Sequence, residues 1–187
     1  EKKEIKNVSG ICAERRNPIT GAREVLLVRG GGKEAWQFAG GHDKPEDKGN
    51  LVQALVREIR EEVGEDLAPD LKSLSYFRSF CPPWKPDAEQ VYSIHSFVLE
   101  NCTWDEEKMR AYIDAGNGDD VNEFVWTSDP LCNKDGTPRL LYPQVDRILR
   151  LRGFDGPRNA NTPPDDYEGD ASTPEIKVEE LRECNAD

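Results

Sequence analysis

Leu51-Val52-Gln53-Ala54-Leu55-Val56-Arg57-Glu58-Ile59-Arg60-Glu61-Glu62-Val63-Gly64 carries two patterns at once. Val52, Leu55, Val56, Ile59 and Val63 recur at spacings of three and four, the apolar stripe of an amphipathic helix. Asn50 is placed to cap its start, Gln53 three residues on to complete a capping box, and Gly64 to end it. The second pattern is one of charge. Glu58, Glu61 and Glu62 lie at i, i+3 and i+4, so they project from one helical face. They fall in the last turns, followed by Glu65 and Asp66, where the helix dipole favours cations and like charges repel. Such a cluster is unfavourable unless something positive binds it, and Mg²⁺, a hard cation that takes oxygen ligands, is the natural partner. The plainer alternative is a solvated acidic face with Arg57 and Arg60 as local ion-pair partners.

Working outward, Val8 to Arg15 and Glu24 to Arg29 are aliphatic runs separated by the turn cluster Asn17-Pro18-Ile19-Thr20-Gly21, and predict a hairpin. Ala35 to Ala39 predicts a further strand that stops at Gly40-Gly41. Strands are expected over Ser73 to Phe80, Val91 to Leu99 and Glu123 to Thr127. Helices are expected over Trp104 to Asp114 and over Tyr142 to Leu151, the latter with Arg147, Arg150 and Arg152 facing solvent. Prolines 82, 83 and 86 break the loop from Cys81 to Gln90. The domain is read as residues 1–154. Residues 155–187 form an acidic, proline-containing tail, with Thr173 to Cys184 read as either disordered or folded back on the domain.

The glycines, arginine and glutamates resemble the box of the Nudix hydrolases, G-x5-E-x7-R-E-U-x-E-E-x-G-U, where U is a bulky aliphatic. Gly41 opens the box and Arg57 to Gly64 match its second half without a gap. Two departures stand out. The loop between Gly41 and Glu58 carries about two extra residues, leaving Glu46 and Asp47 as alternatives for its acidic position, and Glu65 replaces an aliphatic residue. The resemblance implies an α/β fold, the Nudix-type α/β/α sandwich with a mixed, partly antiparallel sheet. It implies an Mg²⁺-dependent pyrophosphohydrolase, with Mn²⁺ as a substitute. Gly41, Glu58, Glu61 and Glu62 are the metal-site residues. Glu61 or Glu58 is the base, Arg57 orients a box glutamate, and Glu123 is a base or ligand outside the box. Asp119 and Asp120 are further candidates by position.

For the rest of the substrate we single out Arg29, Trp36, Phe38 and Trp84, with core packing as the alternative for Phe38 and a base-stacking platform as the functional reading of Trp84. The expected substrate is a nucleoside diphosphate derivative: a nucleoside triphosphate, nucleotide sugar, ADP-ribose or dinucleoside polyphosphate. Alternatives are RNA 5′-end pyrophosphohydrolysis or decapping, in an organelle and within a complex, and a non-catalytic module that binds a nucleotide or a protein. A protein partner would dock on the tail.

Composition narrows these classes. The chain has 187 residues and a net charge of −12, of which residues 155–187 contribute −7. An acidic chain gains little from counterion release, which argues against an extended nucleic-acid surface. The mean hydropathy of −0.78 and the lack of a long apolar run argue against a membrane span. Five scattered cysteines without a C-x-x-C pair point to reduced thiols and an intracellular setting, cytoplasmic or organellar, with a mitochondrial address included. His42 and His95 are too isolated for a zinc site, and Gly30-Gly31-Gly32 do not form a P-loop. Residue 1 is Glu rather than Met, so the chain reads as a processed or trimmed form.

Overall fold

The computed structural model describes residues 4–65, 67, 74–80, 90–118 and 120–164. The elements run β1 (Glu4–Arg16), β2 (Arg23–Gly30), β3 (Ala39–His42), a 3₁₀ turn (Pro45–Asp47), α1 (Leu51–Glu62), β4 (Leu74–Phe80), β5 (Gln90–Leu99), α2 (Glu106–Asp114), β6 (Val121–Thr127) and α3 (Pro143–Leu151). The six strands form one mixed sheet ordered β4-β5-β1-β2-β6, with β3 also paired to β1. β1 and β5 run parallel, and the other pairs are antiparallel.

Strand alternation sorts the core into two layers. Ile11, Ala13, Leu26 and Val28 face Leu55 and Ile59 of α1, its cap Val63, and Met109 and Ile113 of α2. Cys12, Val25, Leu27 and Phe38 face Val145, Ile148 and Leu149 of α3. The chain is therefore an α/β/α sandwich. No helix among the described residues is long and apolar enough to cross a membrane, and Cys12, Cys102 and Cys132 are free thiols.

The expected hairpin of β1 and β2 forms, but pairs only through Glu14, Arg15 and Arg16. Nearer its start, β1 pairs instead with β3, from Val8↔His42 to Ile11↔Ala39. The strand expected at 35–39 thus lies later, through the glycines read as its stop, and Trp36 and Gln37 make isolated bridges only. The reason is steric. A Cβ on Gly40 would sit 2.0 Å from the Ser9 carbonyl oxygen, so glycine here permits close strand approach. The helix from Trp104 begins only at Glu106, because the Asp105 side chain accepts from Lys108 N and caps it.

Three differences lie near the end of the domain. Arg150 binds Asp146 at 2.7 Å and the carbonyls of Gly156 and Pro157, and Arg152 binds Glu14 at 2.7 Å and Glu100 at 3.0 Å, so neither is a solvated surface cation. Asn159 donates to the Arg139 carbonyl and Thr162 reaches Asp146. Contacts to α3 therefore continue past Phe154, where a linker was expected. The remainder of the tail, from residue 165, lies outside the described residues.

His95 is fully buried where β1, β4 and β5 meet. Its Nε2 is 3.1 Å from Asn7 Oδ1, an oxygen that can only accept, which puts the proton on Nε2 and leaves Nδ1 to accept from Ser79 at 2.6 Å. This Ser–His–Asn line is enclosed, with Ser79 only 3% exposed, and ties strands together. Burial lowers the His95 pKa from 6.5 to about 4. The unfolded chain therefore binds the extra proton first as pH falls. His95 contributes its full stability above pH 6.5 and loses about 3 kcal/mol of it on descent to pH 4. Denaturant unfolding across this range will show that decline, and His95→Gln will flatten it.

Candidate functional site

The site is built where α1 meets β3. Asn50 Oδ1 accepts from Gln53 N and starts the helix as expected, while Val63 closes it one residue before Gly64, its N–H bonding the Ile59 carbonyl at 3.0 Å. The carbonyls of Arg60 and Glu61, in the last turn of α1, share the proton of the Tyr112 hydroxyl, which lies 2.9 Å from each. Tyr112 thus lets α2 hold the acidic end of α1 in place. Its role is invisible in sequence because it comes from a separate helix.

The three glutamates do not share one environment. Glu58 and Glu62 are buried and turn toward the β3 backbone. Glu62 Oε2 accepts from Gly40 N at 3.1 Å. The Glu58 carboxyl approaches so closely that a Cβ on Gly41 would lie 2.6 Å from its Cδ. Burial raises the Glu58 pKa, opposed by the charge and hydrogen bond of Arg57. Glu61 is 36% exposed at its side chain and lines an open concavity with Arg57, Arg60, Glu65 and Tyr112.

Arg57 joins the parts. Its Nη1 lies 2.9 Å from Glu58 and 3.5 Å from Glu61, and Nη2 donates to the His42 carbonyl at 3.1 Å. Nε and Nη2 together grip Asp47, at 3.3 and 2.9 Å, a fork that lysine lacks. Asp47 is buried and also accepts from Lys44 N at 2.8 Å, whereas Glu46 is exposed. The structure thereby separates the two alternatives for the loop acid: Asp47 is the partner of Arg57. Its hydrogen bonds to Arg57 hold its pKa below the usual carboxylate range.

The carbonyl of Asp120 packs against Gly30, and Gly118 abuts the Glu62 carbonyl, bringing this turn beside the end of α1. Asp119 and Trp84 lie outside the described residues. Glu123 does not join the α1 carboxylates. Paired opposite Arg29 across β2 and β6, it alternates onto the α3 face, where Arg29 Nε binds it at 2.8 Å. Arg29 in turn lies over the Trp36 ring, 4.3 Å from its centroid. Phe38 is buried in the α3-side core, against Gly10, and has no cleft exposure of note.

The model of the NUDIX domain family matches residues 12–128, which include every box residue described above. The chain belongs to the Nudix family. Solved structures with the same fold include the NUDIX domain of Shewanella oneidensis NrtR complexed with ADP ribose (14% identity, TM-score 0.56, covering 81% of this chain and 88% of that one). The MutT protein of Methanosarcina mazei Go1 is also similar (19% identity, TM-score 0.52, covering 81% and 94%). A MutT/nudix family protein from Enterococcus faecalis matches at 19% identity and TM-score 0.53, over 67% of this chain, which spans only 44% of that protein. At these identities the likeness is one of fold. No curated protein matches the sequence.

Among the described residues no three acidic, histidine or cysteine side chains are drawn together as a metal cluster. Arg57 instead stands between Glu58 and Glu61. The donor set of this Nudix box is nonetheless one of hard oxygens, two buried carboxylates beside a glycine backbone, which suits Mg²⁺ or Mn²⁺. Because Asp47 anchors Arg57, Asp47→Asn will destabilise the fold by about 1 to 2 kcal/mol through loss of the charged fork, with Glu58 and Glu61 still facing the guanidinium. Glu46→Gln will shift it by less than about 0.5 kcal/mol. Urea titration of the two variants checks the assignment.

Proposed function

We propose that this Nudix protein is an Mg²⁺-dependent pyrophosphohydrolase that cleaves a phosphoanhydride bond in a nucleoside diphosphate derivative. The observation that carries the reading is the convergence of Glu58 and Glu62 on the Gly40–Gly41 backbone. Two buried carboxylates that meet on one short stretch of backbone are a standing electrostatic cost, which a bound divalent ion offsets.

In this reading Glu58, Glu62 and the Gly41 carbonyl hold the metal, which supplies charge neutralisation of the diphosphate and acidification of a bound water. Glu61, exposed to the concavity, is placed to accept the proton of an attacking water or to hold a ligand through one. Arg57 keeps Glu58 oriented through its 2.9 Å contact while Asp47 fixes Arg57 from behind. Arg29 and Trp36 take the part of the substrate beyond the diphosphate. The ADP ribose bound by the Shewanella domain supports a nucleotide of this general class.

The test is incubation with Mg²⁺ and a panel of nucleoside triphosphates, nucleotide sugars, ADP-ribose, dinucleoside polyphosphates and 5′-triphosphorylated RNA, with identification of the released groups. Hydrolysis of a small nucleotide is expected, abolished by a chelator and lowered about 10²- to 10³-fold in Glu58→Gln and Glu62→Gln. Release from the RNA alone would place the protein among 5′-end processing enzymes, and no release from any member would favour a binding module. Turnover that survives both Glu61→Gln and Glu62→Gln would defeat the roles assigned to these glutamates.

A further inference from the structure

Trp36 carries a second guanidinium besides Arg29: Arg139 Cζ lies 5.6 Å from the ring centroid. The two arginines differ in what neutralises them. Arg29 has Glu123. Arg139 is half-buried and donates a single hydrogen bond, Nη2 to the Cys132 carbonyl at 3.1 Å. Its Nε is buried without a partner, and no ion pair reaches it among the described residues. Burial lowers its pKa, opposed by Cys132 and Asp129, and the charge of Arg29 adds to the lowering. A guanidinium offers five donors, and one that is half-buried with one acceptor and no counterion among the described residues is costly. It is more unexpected in a chain with 37 acidic residues.

The pair is tied to the box through β3, whose Gly40 lies opposite Gly10 of β1, while Trp36 lies a few residues before it. β2 and β3 touch through the Val28–Gln37 bridge and then give way to separate partners, β6 and β1. Trp36 packs on the α3 side of the sheet and Gly41 meets the Glu58 carboxyl, so the two stand near opposite ends of one short stretch of chain. From Trp36 to Gly41 the extended chain covers about 16 Å at most, within reach of the far end of a nucleotide whose diphosphate lies at the box.

We propose that Arg139, with Arg29 on the same indole, forms an anion subsite that takes a phosphate monoester carried by the substrate outside its scissile diphosphate. The Arg139 fork suits a dianionic phosphate, while Arg29, held by Glu123, shares the indole with it. The inference rests on the box as the diphosphate site and adds which nucleotides are selected.

Calorimetric titration with ADP and with its 2′- and 3′-phosphorylated forms, in Ca²⁺ to suppress turnover, tests it. One phosphorylated form will bind about tenfold more tightly than ADP, a gain of about 1.4 kcal/mol. Arg139→Gln will bring that ratio to about one, and Arg139→Lys, which keeps the charge without the fork, will retain part of it. Equal affinity for all three ligands, no binding of any, or a ratio unchanged in Arg139→Gln would overturn the subsite. Failure of the box reading would appear separately, as absence of hydrolysis in the substrate panel while the binding ratio persists.

Discussion

One guanidinium holds the site together. Arg57 reaches the loop acid Asp47, the helix acids Glu58 and Glu61 and the β3 carbonyl of His42, so a single side chain ties three segments that share no backbone ladder. Electrostatics explains why an arginine is needed there. The acidic turns of α1 repel one another and stand at the end of the helix where anions are least welcome. Arg57 offsets part of that repulsion while Asp47 holds it in a fixed direction. Three anionic side chains, Asp47, Glu58 and Glu61, are thus ordered by a cation that the fold itself supplies.

The second constraint is the closeness of backbones. Gly40 lies against Ser9 and Gly41 against the Glu58 carboxyl, and neither leaves room for a side chain. From β3, the Gly40 N–H donates to Glu62 and the Gly41 backbone lies against the Glu58 carboxyl. Tyr112 from α2 and the turn at Gly118 press on the same helix end from the other side. The site is therefore a junction of all the layers on the α1 face, and its geometry follows from packing as much as from the box.

Much of this was legible in the residues. The stripe from Val52 to Val63 placed α1 and Asn50 capped it, but the i, i+3, i+4 glutamates divide, Glu58 and Glu62 turning inward and Glu61 outward. The misplacement of β3 has a physical cause: glycine is depleted in strands, so Gly40-Gly41 reads as a break until the contact with Ser9 is known. Sequence left Glu46 and Asp47 equivalent because burial separates them, and burial is a tertiary property. Glu123 could have been set apart from the box by parity, since it alternates with the core-facing Phe124 onto the other face of β6. Arg139 carried no signal at all, because its neighbours Trp36 and Arg29 are about a hundred residues away in sequence.

The proposed pyrophosphohydrolase activity turns on whether Glu58 and Glu62 grip a divalent ion beside Gly40 and Gly41. Titration with Mn²⁺ followed by electron paramagnetic resonance measures this without any choice of substrate. Wild-type protein should bind saturably, and Glu58→Gln and Glu62→Gln should each weaken binding by about tenfold or more while remaining folded. Equal Mn²⁺ affinity in all three proteins would contradict it.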